Sequence, residues 1–216
     1  RAAAPRDATG RQRLRLNPTD EGTKSLPSSQ FAEAQERLGA SISGSASLDN
    51  TSFTLAAVKP NLAASLDLLV DYVRNPAFDA GELERIRGNL LVGLRAELNN
   101  PNAAAARILR PALYGARHPY GGPPSGLGNE QSLRAISRED VVNFHSTWLR
   151  PDNARIFVAG DTSLAEVTRL LNASFGKWKA PKTPKPTKNF DVALPQKSGK
   201  ILFVDRPNSP QSVIMA

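Results

Sequence analysis

The chain has 216 residues, of which 40% are hydrophobic and 22% charged, a composition typical of a globular protein. No apolar run approaches the roughly eighteen residues that a membrane-spanning helix needs, so no membrane span is predicted. The absence of cysteine excludes disulfides, thiolate metal sites and a cysteine nucleophile.

The net charge of +8 is concentrated in two polar segments. Residues 177–200 hold seven lysines against one aspartate, and residues 1–16 hold five arginines against one aspartate. The rest of the chain therefore carries two net negative charges. Because the excess lies in a basic tail and a basic connection and not on a folded face, we expect no nucleic-acid partner.

The first elements begin after a segment without periodicity. Residues 1–16 show neither a helical nor a strand period, so we expect a disordered or truncated N-terminal segment. Ser28 or Ser29 is predicted to cap a helix that Gly39 ends, because the apolar residues between them recur at helical spacing. Residues 40–47 and 51–58 are β-type runs joined by a short turn, which predicts a β-hairpin.

Helical patterns occupy the middle of the chain. One helix is expected to end before Pro76, and Asp79 with Glu82 forms a capping-box pattern that begins a longer helix. Pro101 suits the first turn of the next helix, which Pro111 is expected to kink or end.

A second group of elements follows a loop at residues 118–128, predicted from its glycines and prolines. Ser137 is expected to cap another helix, and residues 154–160 are predicted to form a buried strand. A helix from Ala165 to Phe175 comes next.

The last forty residues predict a connection between two domains. Residues 177–200 are rich in lysine and proline and resemble an extended linker. Residues 201–205 and 212–216 are predicted strands, so we place the start of a second domain at residues 201–216. The first domain is placed at residues 17–176. Hairpins mixed with amphipathic helices indicate an α+β fold with a largely antiparallel sheet.

Several segments occur in the order found in one peptidase family. They are EGTKS (21–25), SISGSASLDNTSFTLAAV (41–58), NPAFDAGELERIRGNLL (75–91), LYGARHPYGGPPSG (113–126), FHSTWLRPDNARIFVAGD (144–161) and VDRPNSPQSVI (204–214). Together they resemble the insulinase-like zinc metallopeptidases, also called inverzincins. The resemblance implies an insulinase- or processing-peptidase-like domain, with an antiparallel sheet backed by helices. It also implies two homologous domains per subunit, with subunits paired around an enclosed chamber.

The zinc-binding pattern of that family is missing. Active members of the family bind zinc through H-x-x-E-H on one helix and a glutamate on a later helix. The corresponding positions here are occupied by Arg13, Leu16 and Asn17, and by Gly93 on the later helix. We therefore expect no catalytic residue, no metal ligand and no cofactor in this chain, with zinc bound by a catalytic partner. Around Leu16 and Asn17 the sequence changes abruptly, so we expect either a truncated chain or a missing stretch there.

Three other residues are weighed as ligands. Glu97 lies one helical turn from Gly93, but a lone carboxylate is ordinarily a solvated or paired surface group. His118 and His145 are the only histidines, and neither has a second nitrogen ligand nearby in sequence. We expect His118 to belong to its loop and His145 to be a packed or surface residue.

The leading hypothesis is a non-catalytic subunit of a heterodimeric insulinase-family zinc peptidase. The subunit would complete the chamber with a homologous zinc-bearing partner and help to bind peptide substrate. An exposed strand edge could pair with the peptide backbone, and its candidate residues are Ser41, Ile42, Ser43, Gly44 and Ser45. Two alternatives stay open: part of a catalytically active peptidase, and a structural subunit similar to the core proteins of respiratory complexes. The missing cysteines and the polar N-terminus lead us to expect a bacterial periplasmic location.

Overall fold

The computed structural model describes residues 22–196, 199 and 201–215. That part of the chain contains seven α-helices and one two-stranded antiparallel sheet, so the α+β prediction is confirmed. The elements are α1 (Ser28–Leu38), β1 (Ser41–Ala46), β2 (Thr51–Ala56), α2 (Leu62–Arg74), α3 (Ala80–Asn99), α4 (Pro101–Tyr114), α5 (Glu130–Ala135), α6 (Arg138–Trp148) and α7 (Leu164–Phe175). None of these helices is long and apolar enough to cross a membrane.

The described residues divide into two compact units. The hairpin unit comprises residues 22–86 and 137–186, and the loop unit comprises residues 87–136 and 187–215. Predictions for residues 1–16, including those for Arg13 and Leu16, lie outside the described residues, as does the prediction for Asn17. The predicted domain boundaries stay predictions.

The β-hairpin lies against α1 and α2 in the hairpin unit. Strands β1 and β2 pair from Ser41 opposite Ala56 to Ala46 opposite Thr51. The core beneath them is centred on Tyr72, which is 1% exposed and whose ring centroid lies 5.5 Å from that of Phe31. Along β1, exposed residues alternate with residues that are buried or partly buried, as expected of a strand with one covered face.

The chain enters α1 through a tight turn. The N–H of Thr23 donates to the carbonyl of Leu26 at 2.7 Å, and the Thr23 hydroxyl accepts from the Leu26 N–H at 3.0 Å. A side chain at Gly22 would overlap the Leu26 carbonyl, so only glycine fits there. The prediction that Ser28 or Ser29 caps this helix is wrong: Pro27 is the N-cap and makes no side-chain cap hydrogen bond. A proline can begin a helix because it fixes φ without needing a donor.

Local capping signals elsewhere are confirmed. The Ser137 hydroxyl accepts from the Asp140 N–H at 3.1 Å at the start of α6, and Asp79 accepts from the Glu82 N–H at 3.0 Å. Pro111, however, does not end its helix, which continues to Tyr114. The carbonyl of Pro111 accepts from the Gly115 N–H at 2.9 Å, so helical hydrogen bonding continues past the proline.

Three predicted strands are absent from the described residues. Residues 154–160, 201–205 and 212–215 form no strand, whereas Ala216 lies outside the described part. Their side chains are exposed, with Phe157 at 89% and Ile201 at 95%. A strand exists only when another segment pairs with its backbone, and no described segment pairs with these three.

Candidate functional site

The position expected for the distal metal ligand is a bare patch of helix surface. Gly93 lies on α3, is exposed, and a side chain built there would meet no atom within 4 Å. Glycine supplies no side-chain donor atom, and in a helix interior it costs about 1 kcal/mol relative to alanine. Gly93 therefore contributes neither a ligand nor packing at this point of the loop unit.

Glu97, the carboxylate one helical turn from Gly93, is engaged in an ion pair. Arg107 of α4 donates from Nη1 to Glu97 Oε1 at 3.1 Å, and the two side chains are only 14% and 12% exposed, respectively. Arg107 also donates to the carbonyl of Gly128. Only Oε1 of Glu97 is paired in this way, because Oε2 is buried without a hydrogen-bond partner in the described part of the chain. The charge of Arg107 opposes a cation at this carboxylate at close range.

The two histidines serve local structure. His145 Nε2 lies 2.7 Å from the Val73 carbonyl, and its ring meets Phe78 edge-on at 5.5 Å. His118 Nδ1 accepts from the Tyr120 N–H at 3.1 Å. Among the residues that the structure describes, no group of three or more His, Asp or Glu side chains could hold a metal ion. The described residues thus do not fit a zinc ion.

The 118–128 loop is held in shape by close packing. A side chain at Gly121 would overlap the Gly115 carbonyl, and Gly121 N–H donates to the His118 carbonyl at 2.9 Å. The His118 ring stacks on Tyr114 at 5.2 Å and lies 6.0 Å from Phe190. The glycine of the H-P-Y-G segment is therefore required by backbone proximity.

The outer edge of β1 is only partly open. The Ile42 N–H donates to Gln35 Oε1 at 2.7 Å, away from β2. Because backbone groups alternate direction along an antiparallel strand, Gly44 and Ala46 also direct their N–H and carbonyl groups outward. Of the predicted edge residues, Ile42 is 5% exposed and its N–H is already satisfied.

The remaining candidates, Ser41, Ser43 and Ser45, direct their backbone groups toward β2 and expose their side chains. Among the described residues, the stretch of this edge that is left without a backbone partner is therefore Gly44 to Ala46. No sequence pattern indicates Gln35, because this contact joins a helix to a strand seven residues away.

Two family models match the chain in succession. The model described as Insulinase (Peptidase family M16) matches residues 20–117. The model described as Peptidase M16 inactive domain matches residues 135–216.

Individual relatives are distant and longer. The probable zinc protease PqqL of Haemophilus influenzae is 24% identical over 181 residues, which cover 81% of this chain and 19% of that protein. A crystal structure of a protease from Helicobacter pylori has the same fold, with a TM-score of 0.74, 23% identity, and coverage of 88% of this chain and 45% of that one. The periplasmic protease PqqL from Escherichia coli matches at a TM-score of 0.67 and 20% identity, over 84% of this chain and 21% of its own. The chain spans less than half the length of each.

Proposed function

Because the chain belongs to the insulinase family of peptidases, peptidase family M16, we propose that it is a non-catalytic subunit of a heterodimeric zinc peptidase. The observation that carries this proposal is that the position of the distal zinc ligand is occupied by a residue without a side-chain donor atom. Gly93 offers no donor atom, and the carboxylate one turn away neutralises Arg107. Zinc and the water it activates belong to a homologous partner subunit in this proposal.

Metal content and turnover test the proposal together. The full-length protein is purified alone, and zinc is measured by inductively coupled plasma mass spectrometry. Hydrolysis of an internally quenched peptide is followed in parallel. We expect substoichiometric zinc and no turnover from the protein alone. Turnover should appear when a homologous subunit bearing H-x-x-E-H is added. One zinc per chain, or turnover without the partner, would contradict the proposal and favour an active peptidase.

The proposed role in peptide binding rests on the open part of the β1 edge. Gly44 and Ala46 direct backbone groups outward, so an extended peptide can add to the sheet through main-chain hydrogen bonds. Affinity would come from the backbone and depend little on the exposed serine side chains.

Substitutions that remove outward donors test this role. Gly44→Pro and Ala46→Pro each remove one outward N–H and leave the donors that face β2. We expect each to weaken binding of a labelled extended peptide roughly three- to tenfold in fluorescence anisotropy, the effect of about one lost hydrogen bond. The matched controls Ser43→Ala and Ser45→Ala alter only exposed side chains and should leave binding unchanged. Unchanged binding by both folded proline variants would remove β1 as the binding edge.

A periplasmic location is part of the proposal. It is supported by the fold shared with a protease described as periplasmic. Fractionation of the native host tests it, with recovery in the cytosolic fraction as the contradicting result. Co-purification with a membrane complex, together with no peptidase partner, would instead favour a structural assembly subunit.

A further inference from the structure

The segment after α7 has no helix or strand, yet packing and hydrogen bonds hold it to the hairpin unit. We call residues 177–186 the strap. Its three prolines at positions 181, 184 and 186 have no N–H, so the strap cannot form a regular ladder with a neighbour. Its composition alone predicts an extended linker.

The first fastening is Trp178. Its N–H donates to the Phe175 carbonyl at 2.8 Å, and the two rings lie 6.1 Å apart. The Trp178 side chain packs against the core cluster of Phe31 and Tyr72. The beginning of the strap is therefore part of the hydrophobic core of the hairpin unit.

The second fastening is Arg150, which lies two residues after α6 and is 4% exposed. Its guanidinium holds Asp152 in a bidentate pair, with Nε to Oδ1 at 2.6 Å and Nη2 to Oδ2 at 2.8 Å. The same group donates to three strap carbonyls: Nη2 to Thr183 at 3.0 Å and to Pro181 at 3.3 Å, and Nη1 to Pro184 at 3.2 Å.

This arrangement depends on the planar fork of arginine. A guanidinium presents five N–H donors in a fixed planar fork, whereas a lysine ammonium is a point charge on a flexible stem. Lysine could therefore not hold the carboxylate and the three carbonyls at the same time. Hydrogen bonding from Arg150 lowers the pKa of Asp152, and the charge of Lys185 on the strap acts in the same direction. Asp152 stays charged and keeps the nearly buried guanidinium compensated.

We propose that Arg150 is a positioning residue that fixes the strap to the hairpin unit, so that residues 177–186 move with that unit. The proposal is independent of the proposed function. The linker predicted at residues 177–200 would then lose its first ten residues, which move with the hairpin unit. Chain freedom falls with the number of residues left unfastened.

Limited trypsin digestion of the intact chain tests the proposal. The Lys182–Thr183 bond lies within the Arg150 contacts, whereas the Lys188–Asn189 bond lies outside them and serves as an internal reference. A protease needs a locally detached, extended chain, so fastening should protect the first bond. We expect Arg150→Lys to raise the cleavage rate at Lys182, relative to Lys188, about tenfold or more. Position 150 precedes a proline, so the substitution neither creates nor removes a trypsin site.

Arg155→Lys is the matched control, since Arg155 is an exposed arginine nearby, and its ratio should equal that of the unchanged protein. A folded Arg150→Lys variant with an unchanged ratio would overturn the proposal. If Arg150→Lys does not fold, Asp152→Asn decides by the same ratio, with a several-fold rise expected and an unchanged ratio overturning it. If neither variant folds, Arg150 is a general determinant of folding and the positioning role is overturned.

Discussion

Breaking the Glu97–Arg107 pair separates a structural role of Glu97 from a role as a metal ligand. The perturbation consists of the single variants Glu97→Leu and Arg107→Met and of the double variant. Each single variant leaves one charge nearly buried without its partner. In the double variant both positions become apolar, and only the carbonyl of Gly128 loses a donor.

The magnitude follows from the exposure of the two side chains. Removing one partner of a fully buried pair costs about 3–5 kcal/mol, whereas an exposed pair is worth about 0–1 kcal/mol. At 12% and 14% exposure the pair lies nearer the buried limit, so we expect each single variant to lose about 2–4 kcal/mol. The double variant should lose about 1–2 kcal/mol, since an apolar replacement of both charges is close to neutral apart from the lost donor.

The assay is urea denaturation of all four proteins, with the interaction energy taken from the double-mutant cycle. Asp161→Asn is the control: the Lys59–Asp161 pair is 51% and 90% exposed, so its loss should cost less than about 0.5 kcal/mol. Added zinc should not raise the urea midpoint of the unchanged protein. Additive single effects, or a zinc-dependent midpoint that Glu97→Leu abolishes, would refute the structural reading of Glu97.

Three smaller effects are expected. Ser65→Ala should raise the free energy of unfolding by about 1 kcal/mol, measured by urea titration. The reason is that this fully buried helical hydroxyl has no hydrogen-bond partner in the described part of the chain. A loss of stability would contradict this prediction. Burial raises the pKa of Asp71, but side-chain hydrogen bonds, that from Ser25 first, outweigh it and lower the pKa below 3.8. The stability that Asp71 adds is therefore present above pH 3.8 and is lost as the pH falls through the lower folded pKa. The difference in Tm between the unchanged protein and Asp71→Asn should shrink below pH 4. A difference that stays constant with pH would contradict this assignment. Gly121→Ala should lower Tm, since the new methyl group would overlap the Gly115 carbonyl, whereas Gly122→Ala, with open space around it, should have little effect.

Elements specified by short-range signals were predictable from the sequence. Helix α6 begins with a capping box, in which a serine and the aspartate three residues later bond each other's backbone N–H groups. The hairpin has two β-type runs joined by a short turn. These features depend on residues within one turn of each other. The assignment of Gly93 to the distal ligand position comes from aligning the family pattern on a helix, and the absence of a metal ligand there stays a prediction.

Features set by distant partners were not predictable. Residues 154–160 have a strand-like composition, yet a strand needs a pairing segment, and composition does not supply one. The partner of Glu97 lies on the following helix, and the strap carbonyls that Arg150 contacts lie 31 to 34 residues after it in the sequence. In each case the sequence indicated the residue type but not what it would contact.

The exposed apolar run at Ile156, Phe157 and Val158 has a consequence for solubility. Short uncharged runs with high β-propensity are the usual nuclei of edge-to-edge association between chains. Here Arg155 precedes the run and Asp161 follows it closely, so two copies cannot stack along its length without desolvating a charge near each end. Charges placed at both ends of such a run are the arrangement that disfavours its pairing with another copy of itself.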